Sequence, residues 1–115
     1  MHEAQYKEQR KADRKKITGR MPVTDINRER VIGQLVDISI DGLMLLGGAP
    51  LAINGMYQFD IELPEPVNGH SVLHLGAECL WCRTAEDPEH FWAGFHLIDI
   101  SPEDQSTLDA LISLL

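Results

Sequence analysis

Apolar and polar positions alternate with a period of two through most of this chain. In Met56–Leu63 (MYQFDIEL), Tyr57, Phe59, Ile61 and Leu63 fall on one side and Gln58, Asp60 and Glu62 on the other, which predicts a half-buried strand. Ser71–Trp81 alternates in the same way, with Leu73, Leu75, Ala77, Cys79 and Trp81 in phase. Phe91–Ile98 (FWAGFHLI) is apolar on both faces and predicts a last, well-buried strand. Upstream, Ile17–Ile26 reads as a first strand, confined by Pro22 to an edge or a bulge. Asn27-Arg28-Glu29-Arg30 is short enough for a hairpin connection. Val31–Ser39 and Leu43–Leu46 follow as two strands on either side of Gly42. Gly47-Gly48-Ala49-Pro50, Pro64–Gly69 and Thr84–Glu89 read as breaks and loops.

The end of the chain changes period. Ser101-Pro102-Glu103-Asp104 offers a helix cap, with Pro at the first helical position and acids in the first turn. Leu108, Leu111, Ile112 and Leu115 then fall at i, i+3, i+4 and i+7. Six strands joined by short turns, closed by a helix over about residues 101–115, predict an all-β fold: a small six-stranded antiparallel barrel with a C-terminal α-helix.

Within that frame, Asp37-Ile38-Ser39-Ile40-Asp41-Gly42 stands out. Ile38 and Ile40 keep the apolar phase, so Asp37, Ser39 and Asp41 are expected together on the opposite, solvent-facing side. Gly42 allows a bend, a bulge or the close approach of another molecule.

At 115 residues the chain fits one domain with a modest core, and 43% hydrophobic and 24% charged residues are those of a soluble globular protein. No apolar run approaches the roughly 18 residues of a membrane span. The start, MHEAQYKEQRKADRKK, lacks the apolar stretch of a secretory signal, so cytoplasmic residence is expected. The net charge of −8 argues against a nucleic-acid polymer as partner. The charge is uneven, however. Residues 1–20 carry seven bases against three acids, a net of +4, whereas residues 21–115 carry three against fifteen, a net of −12. An acidic body with a basic arm suits a small anionic ligand or an acidic partner. Residues 1–16 hold little to bury and are expected to form a mobile arm, with the folded domain over 17–115.

Arg10 and Arg14 sit four apart in that arm, a spacing that can set both guanidinium groups on one side. A guanidinium matches phosphate oxygens in bidentate fashion and also the O6/N7 edge of guanine. An Arg-x-x-x-Arg arm before the first strand, followed by Asp37-x-Ser39-x-x-Gly42, resembles the PilZ domain, a small β-barrel family that binds cyclic dimeric GMP. The spacing of the two motifs, the strand ending in Trp81, the Phe91–Ile98 strand and the Asp99–Asp104 run into the last helix agree with it. The resemblance covers about Gln9 to Leu115.

By that resemblance, Arg10 and Arg14 would grip guanine edges and phosphates, Asp37 would accept from the N1–H/N2–H₂ edge of guanine, Ser39 would bond to the ligand, and Gly42 would let the backbone approach it. Members often carry a further Arg at the position of Gln9, which keeps hydrogen-bonding capacity and loses a charge. A second register, Lys16-x-x-x-Arg20, ranks lower because its first member is Lys and its interval to Asp37 is short. The resemblance implies a receptor that passes the messenger signal to an unidentified effector protein in control of motility, biofilm or exopolysaccharide. It implies no enzyme, no cofactor beyond the ligand, and a monomer or homodimer. The alternative is the same barrel acting as an adaptor that needs no ligand.

The remaining candidates carry less. Cys79-Leu80-Trp81-Cys82 reads as two reduced, partly buried thiols, because residues three apart on a regular strand face opposite sides and zinc needs four ligands. His70 and His74 fall on one strand face and read as solvated. No nucleophile with a base and an orienting group is visible.

Overall fold

The structure is a computed structural model and describes residues 14–115. Among these residues seven strands precede one helix: β1 (Lys15–Lys16), β2 (Pro22–Asp25), β3 (Arg30–Ile38), β4 (Gly42–Gly47), β5 (Met56–Val67), β6 (His70–Thr84), β7 (Phe91–Asp99) and α1 (Pro102–Leu114). All pairings are antiparallel. Strands β3, β2, β5, β6, β7 and β4 follow one another round a barrel, and the β3–β4 ladder closes it. The expected six-stranded barrel with a C-terminal helix is therefore what forms, with β1 as one extra strand on β3.

Its interior is filled by the in-phase positions of each strand, among them Val23, Ile38, Leu43, Leu45, Ile61, Leu73 and Leu75. Phe59 and Phe95 cross edge to face with ring centroids 5.0 Å apart, and Tyr57 packs on both at 5.7 Å. Helix α1 lies against β5 and β6 and buries Leu108 and Leu111. Its cap is the expected one: the Ser101 Oγ accepts from the Asp104 N–H at 3.0 Å, and Pro102 begins the helix. The Asp104 carboxylate in turn accepts from the His74 N–H at 3.2 Å, which fastens the helix start to β6.

Several boundaries differ from the sequence reading. Pro64–Gly69 is mostly strand, because Asn68 and Gly69, with φ of 53° and 78°, make a two-residue turn that matches the strand twist. The two prolines are taken up by a register irregularity between Glu62 and Val67. Strand β6 runs past Trp81 to Thr84. The first strand is interrupted: Ile17 still donates to the Val36 carbonyl at 2.9 Å, but the chain leaves the ladder at Gly19, where φ is +89°, and returns at Pro22. Strand β7 is buried on one side only, since His96 and Ile98 are exposed.

Asp25 organises the β2–β3 turn. Its fully buried carboxylate accepts from the Asn27 and Arg28 N–H groups at 3.1 and 3.3 Å and pairs with the Arg28 guanidinium at 2.7 Å. That contact raises the pKa of Arg28.

Candidate functional site

Strand β3 carries a bulge at Val36: Leu35 pairs with Leu45, and the next pair is Asp37 with Met44. The extra residue changes the phase, so Leu35 and Ile38, three apart, both enter the core. Ile40 does not continue the buried row. It stands at the hairpin tip and is 46% exposed.

The hairpin tip is held by its own polar side chains. The Ser39 N–H donates to the Gly42 carbonyl at 2.9 Å, leaving Ile40 and Asp41 as the loop. Neither has a positive φ, so the loop lacks the backbone twist that two-residue hairpins favour. The Ser39 hydroxyl donates to Asp41 Oδ1 at 2.7 Å and receives the Asp41 N–H at 3.4 Å. Asp37 and Ser39 were expected on a solvated face, yet they are 9% and 2% exposed. Asp37 is flanked by Lys16 on one edge of β3 and Met44 on the other, and the Ser39 hydroxyl turns back into the loop.

Gly42 has a packing role in the barrel wall. A Cβ there would stand 2.7 Å from the Phe95 carbonyl oxygen, so the missing side chain lets β4 pair with β7.

Directly paired residues of antiparallel strands share a face, and the registers therefore lay out the barrel exterior in rows. One row runs Lys16, Asp37, Met44, Gly94, Trp81. Beside it runs Gly42, His96, Glu78, Met56, with Ser39 across the hairpin from Gly42. On the other flank lie Gln34, Leu46, Trp92, Arg83. Arg14 precedes β1 and is exposed. The register that sets Lys15 against Ile38 and Lys16 against Asp37 brings it level with Ser39. The structure thus gathers Arg14, Asp37, Ser39 and Gly42 at one place. Gln9 and Arg10 lie outside the described residues.

Sequence alternation did not reveal Lys16 and Met44 as neighbours of Asp37, or Trp81 as a member of the same outer row. A second bulge, at Leu80, explains the last of these. Beyond it Trp81 turns outward across Gly94, where any Cβ would collide with the indole, and the Arg83 guanidinium stacks on Trp81 with its carbon 4.7 Å from the ring centroid. The same bulge puts Cys79 and Cys82 on one face, opposite the inward Phe95 and Ala93, where a regular strand would have set them on opposite faces. Both thiols are free. Burial, and secondly the nearby Cys82, raise the pKa of Cys79.

The histidines of the sequence reading are half-exposed and paired: His74 Nδ1 lies 3.0 Å from Asp60, and His70 Nε2 lies 3.5 Å from Glu103. Among the described residues no group of three or more His, Cys, Asp and Glu could hold a metal ion. No helix among them is long and apolar enough to cross a membrane.

Comparison with known proteins agrees with this architecture. The PilZ domain family matches residues 8–114, and the chain belongs to that family. The PilZ domain of Escherichia coli YcgR, solved with c-di-GMP, is similar at a TM-score of 0.71 and 16% identity, over 93% of this chain and 91% of that one. YcgR from Escherichia coli in complex with c-di-GMP gives a TM-score of 0.72 at 18% identity over 92% of this chain. The inhibitor of motility from Bacillus subtilis (MotI/DgrA) gives 0.68 at 16% identity, also over 92%. This chain spans 45% of that YcgR chain and 51% of the MotI chain. No curated protein matches it.

Proposed function

We propose that this protein binds cyclic dimeric GMP on the barrel exterior beside the β3–β4 hairpin and passes the signal to a partner protein, with no catalysis of its own. The observation that carries the reading is the β1–β3 register, which brings Arg14 level with Ser39 and sets Lys16 opposite Asp37. Family membership and the ligand present in the two YcgR structures support the choice of messenger.

The chemistry follows from the groups available. Asp37 accepts from the N1–H and N2–H₂ donors of guanine, while Arg14, with Arg10 and Gln9 further along the arm, meets phosphates and guanine edges. Lys16 adds a mobile ammonium beside Asp37. The residues ahead of β1 act as an arm that the ligand fixes over the barrel, whereas Lys15 and Lys16 are already paired with β3; ordering the arm's backbone absorbs on the order of 1–2 kcal/mol per residue of the contact energy. The resulting surface of arm, ligand and barrel is what a partner in motility, biofilm or exopolysaccharide control reads.

Calorimetric titration with cyclic dimeric GMP tests the proposal. Arg14→Ala should weaken binding by at least about 2 kcal/mol, roughly thirtyfold, through loss of a charge-assisted contact. Asp37→Asn, which keeps the shape of a buried group, should weaken it as well. Unchanged affinity in both variants would refute the assigned site.

A further inference from the structure

Near the β6–β7 connection the barrel surface opens into a pocket of about 460 Å³ lined by Leu46, Ala85, Glu86, Asp87, His90 and Trp92. Its volume lies within the range of about 300–1,000 Å³ usual for ligand sites. Leu46 and Trp92 are register partners and the large apolar residues of its lining. Glu86 and Asp87, on the β6–β7 connection, are the two acidic residues of the lining.

The rim is held in place by the loop. Ala85 donates to the His90 carbonyl and His90 to the Asp87 carbonyl, each at 2.9 Å. Asp87 accepts from the Glu89 N–H at 2.9 Å and faces His90 Nδ1 at 2.8 Å. Among the described residues, Arg83 lies opposite Trp92 in the ladder. It stacks on Trp81 instead.

We infer that this pocket is an anchor for an arginine side chain of a partner protein. An indole face beside two carboxylates is complementary to a planar cation, which stacks on the ring and bonds to both acids. An arginine fits better than a lysine, whose compact ammonium gains less from stacking and holds its water more strongly. The rest of the body favours the same sign, since residues 21–115 carry a net charge of −12. The pocket is open and shallow, which points to a partner's side chain: the partner's own surface covers the mouth, whereas a free small molecule would stay largely in water. This inference rests on Trp92 and its rim, independently of cyclic dimeric GMP.

The test is a ¹H–¹⁵N titration of the whole chain with acetyl-Gly-Arg-Gly-amide, its neutral citrulline counterpart, and free arginine, all at millimolar concentration. The arginine peptide should move the Trp92 indole N–H and the Glu86 and Asp87 amides, at least fivefold further than the citrulline peptide does. Glu86→Gln should reduce the shift at Trp92 at least twofold, and Trp92→Leu should abolish the shifts of the two rim amides. Trp92→Leu should still bind cyclic dimeric GMP, so failure of either proposal leaves the other standing. Equal shifts from the two peptides, or none from either, would overturn the inference. Free arginine acting as strongly as the peptide would make this a small-molecule site instead. If Arg10→Ala alone displaces the Trp92 indole resonance of the free chain as far as the peptide does, the occupant is the chain's own arm and the partner reading fails.

Discussion

Gly42 shows how one missing methyl group ties the β3–β4 hairpin to the barrel wall. A side chain there would press on the backbone of β7, which cannot move without disturbing the ladder from Gly42 to Gly47. Gly42→Ala should therefore lower stability by about 1–3 kcal/mol, the usual cost of overpacking. Urea denaturation monitored by tryptophan fluorescence measures it, and an unchanged midpoint would contradict the placement. Part of this was legible beforehand: the acceptors of Asp37, Ser39 and Asp41 and the glycine are plain in the sequence. What the glycine avoids was not, because its neighbour Phe95 is far along the chain and reaches it only through barrel closure. The burial of Asp37 was hidden for the same reason, since Lys16 and Met44 come from two other strands.

Among the elements, the alternating strands and the capped helix were readable because hydrophobic period and capping chemistry are local. The bulges at Val36 and Leu80 were not. Each adds one residue to one strand of a pair, and nothing in a run of apolar residues marks which one is extra. Their consequences are large: the first sends both Leu35 and Ile38 inward, and the second turns Trp81 out and sets Cys79 and Cys82 on a common face. The thiols provide a direct check. Cys79 is fully buried and its raised pKa keeps it protonated near neutral pH, while Cys82 is half-buried and receives the Leu51 N–H at 3.4 Å. A thiol reagent in native buffer should modify Cys82 first and Cys79 only on unfolding. Mass spectrometry of the products distinguishes the two, and early labelling of Cys79 would refute the bulge geometry.

For the whole molecule, the charge division carries the argument. The body is strongly acidic, yet one of its three bases, Arg83, stands on the same outer face as Asp37 and Trp81, two residues from the latter. The arm adds Arg14, Lys15 and Lys16 along the edge of β3. A dianionic ligand with two guanines suits such a face, where cations, a carboxylate and an aromatic ring converge. The proposal that the ligand fixes the arm predicts slower amide hydrogen exchange for residues 7–14, ahead of β1, when cyclic dimeric GMP is added, with β5 (Met56–Val67) unchanged. Equal protection with and without ligand would contradict it.

The most direct measurement of the central claim is a pair of titrations on the intact chain, one with cyclic dimeric GMP and one with cyclic dimeric AMP, at the same ionic strength. The two share phosphates and ring geometry, but adenine lacks the N1–H and N2 donors that Asp37 would accept. The account predicts saturable binding of the guanine ligand and at least about tenfold weaker binding of the adenine one, the discrimination expected for one satisfied charge-assisted contact. Equal affinity for both, or no binding of cyclic dimeric GMP, would contradict it.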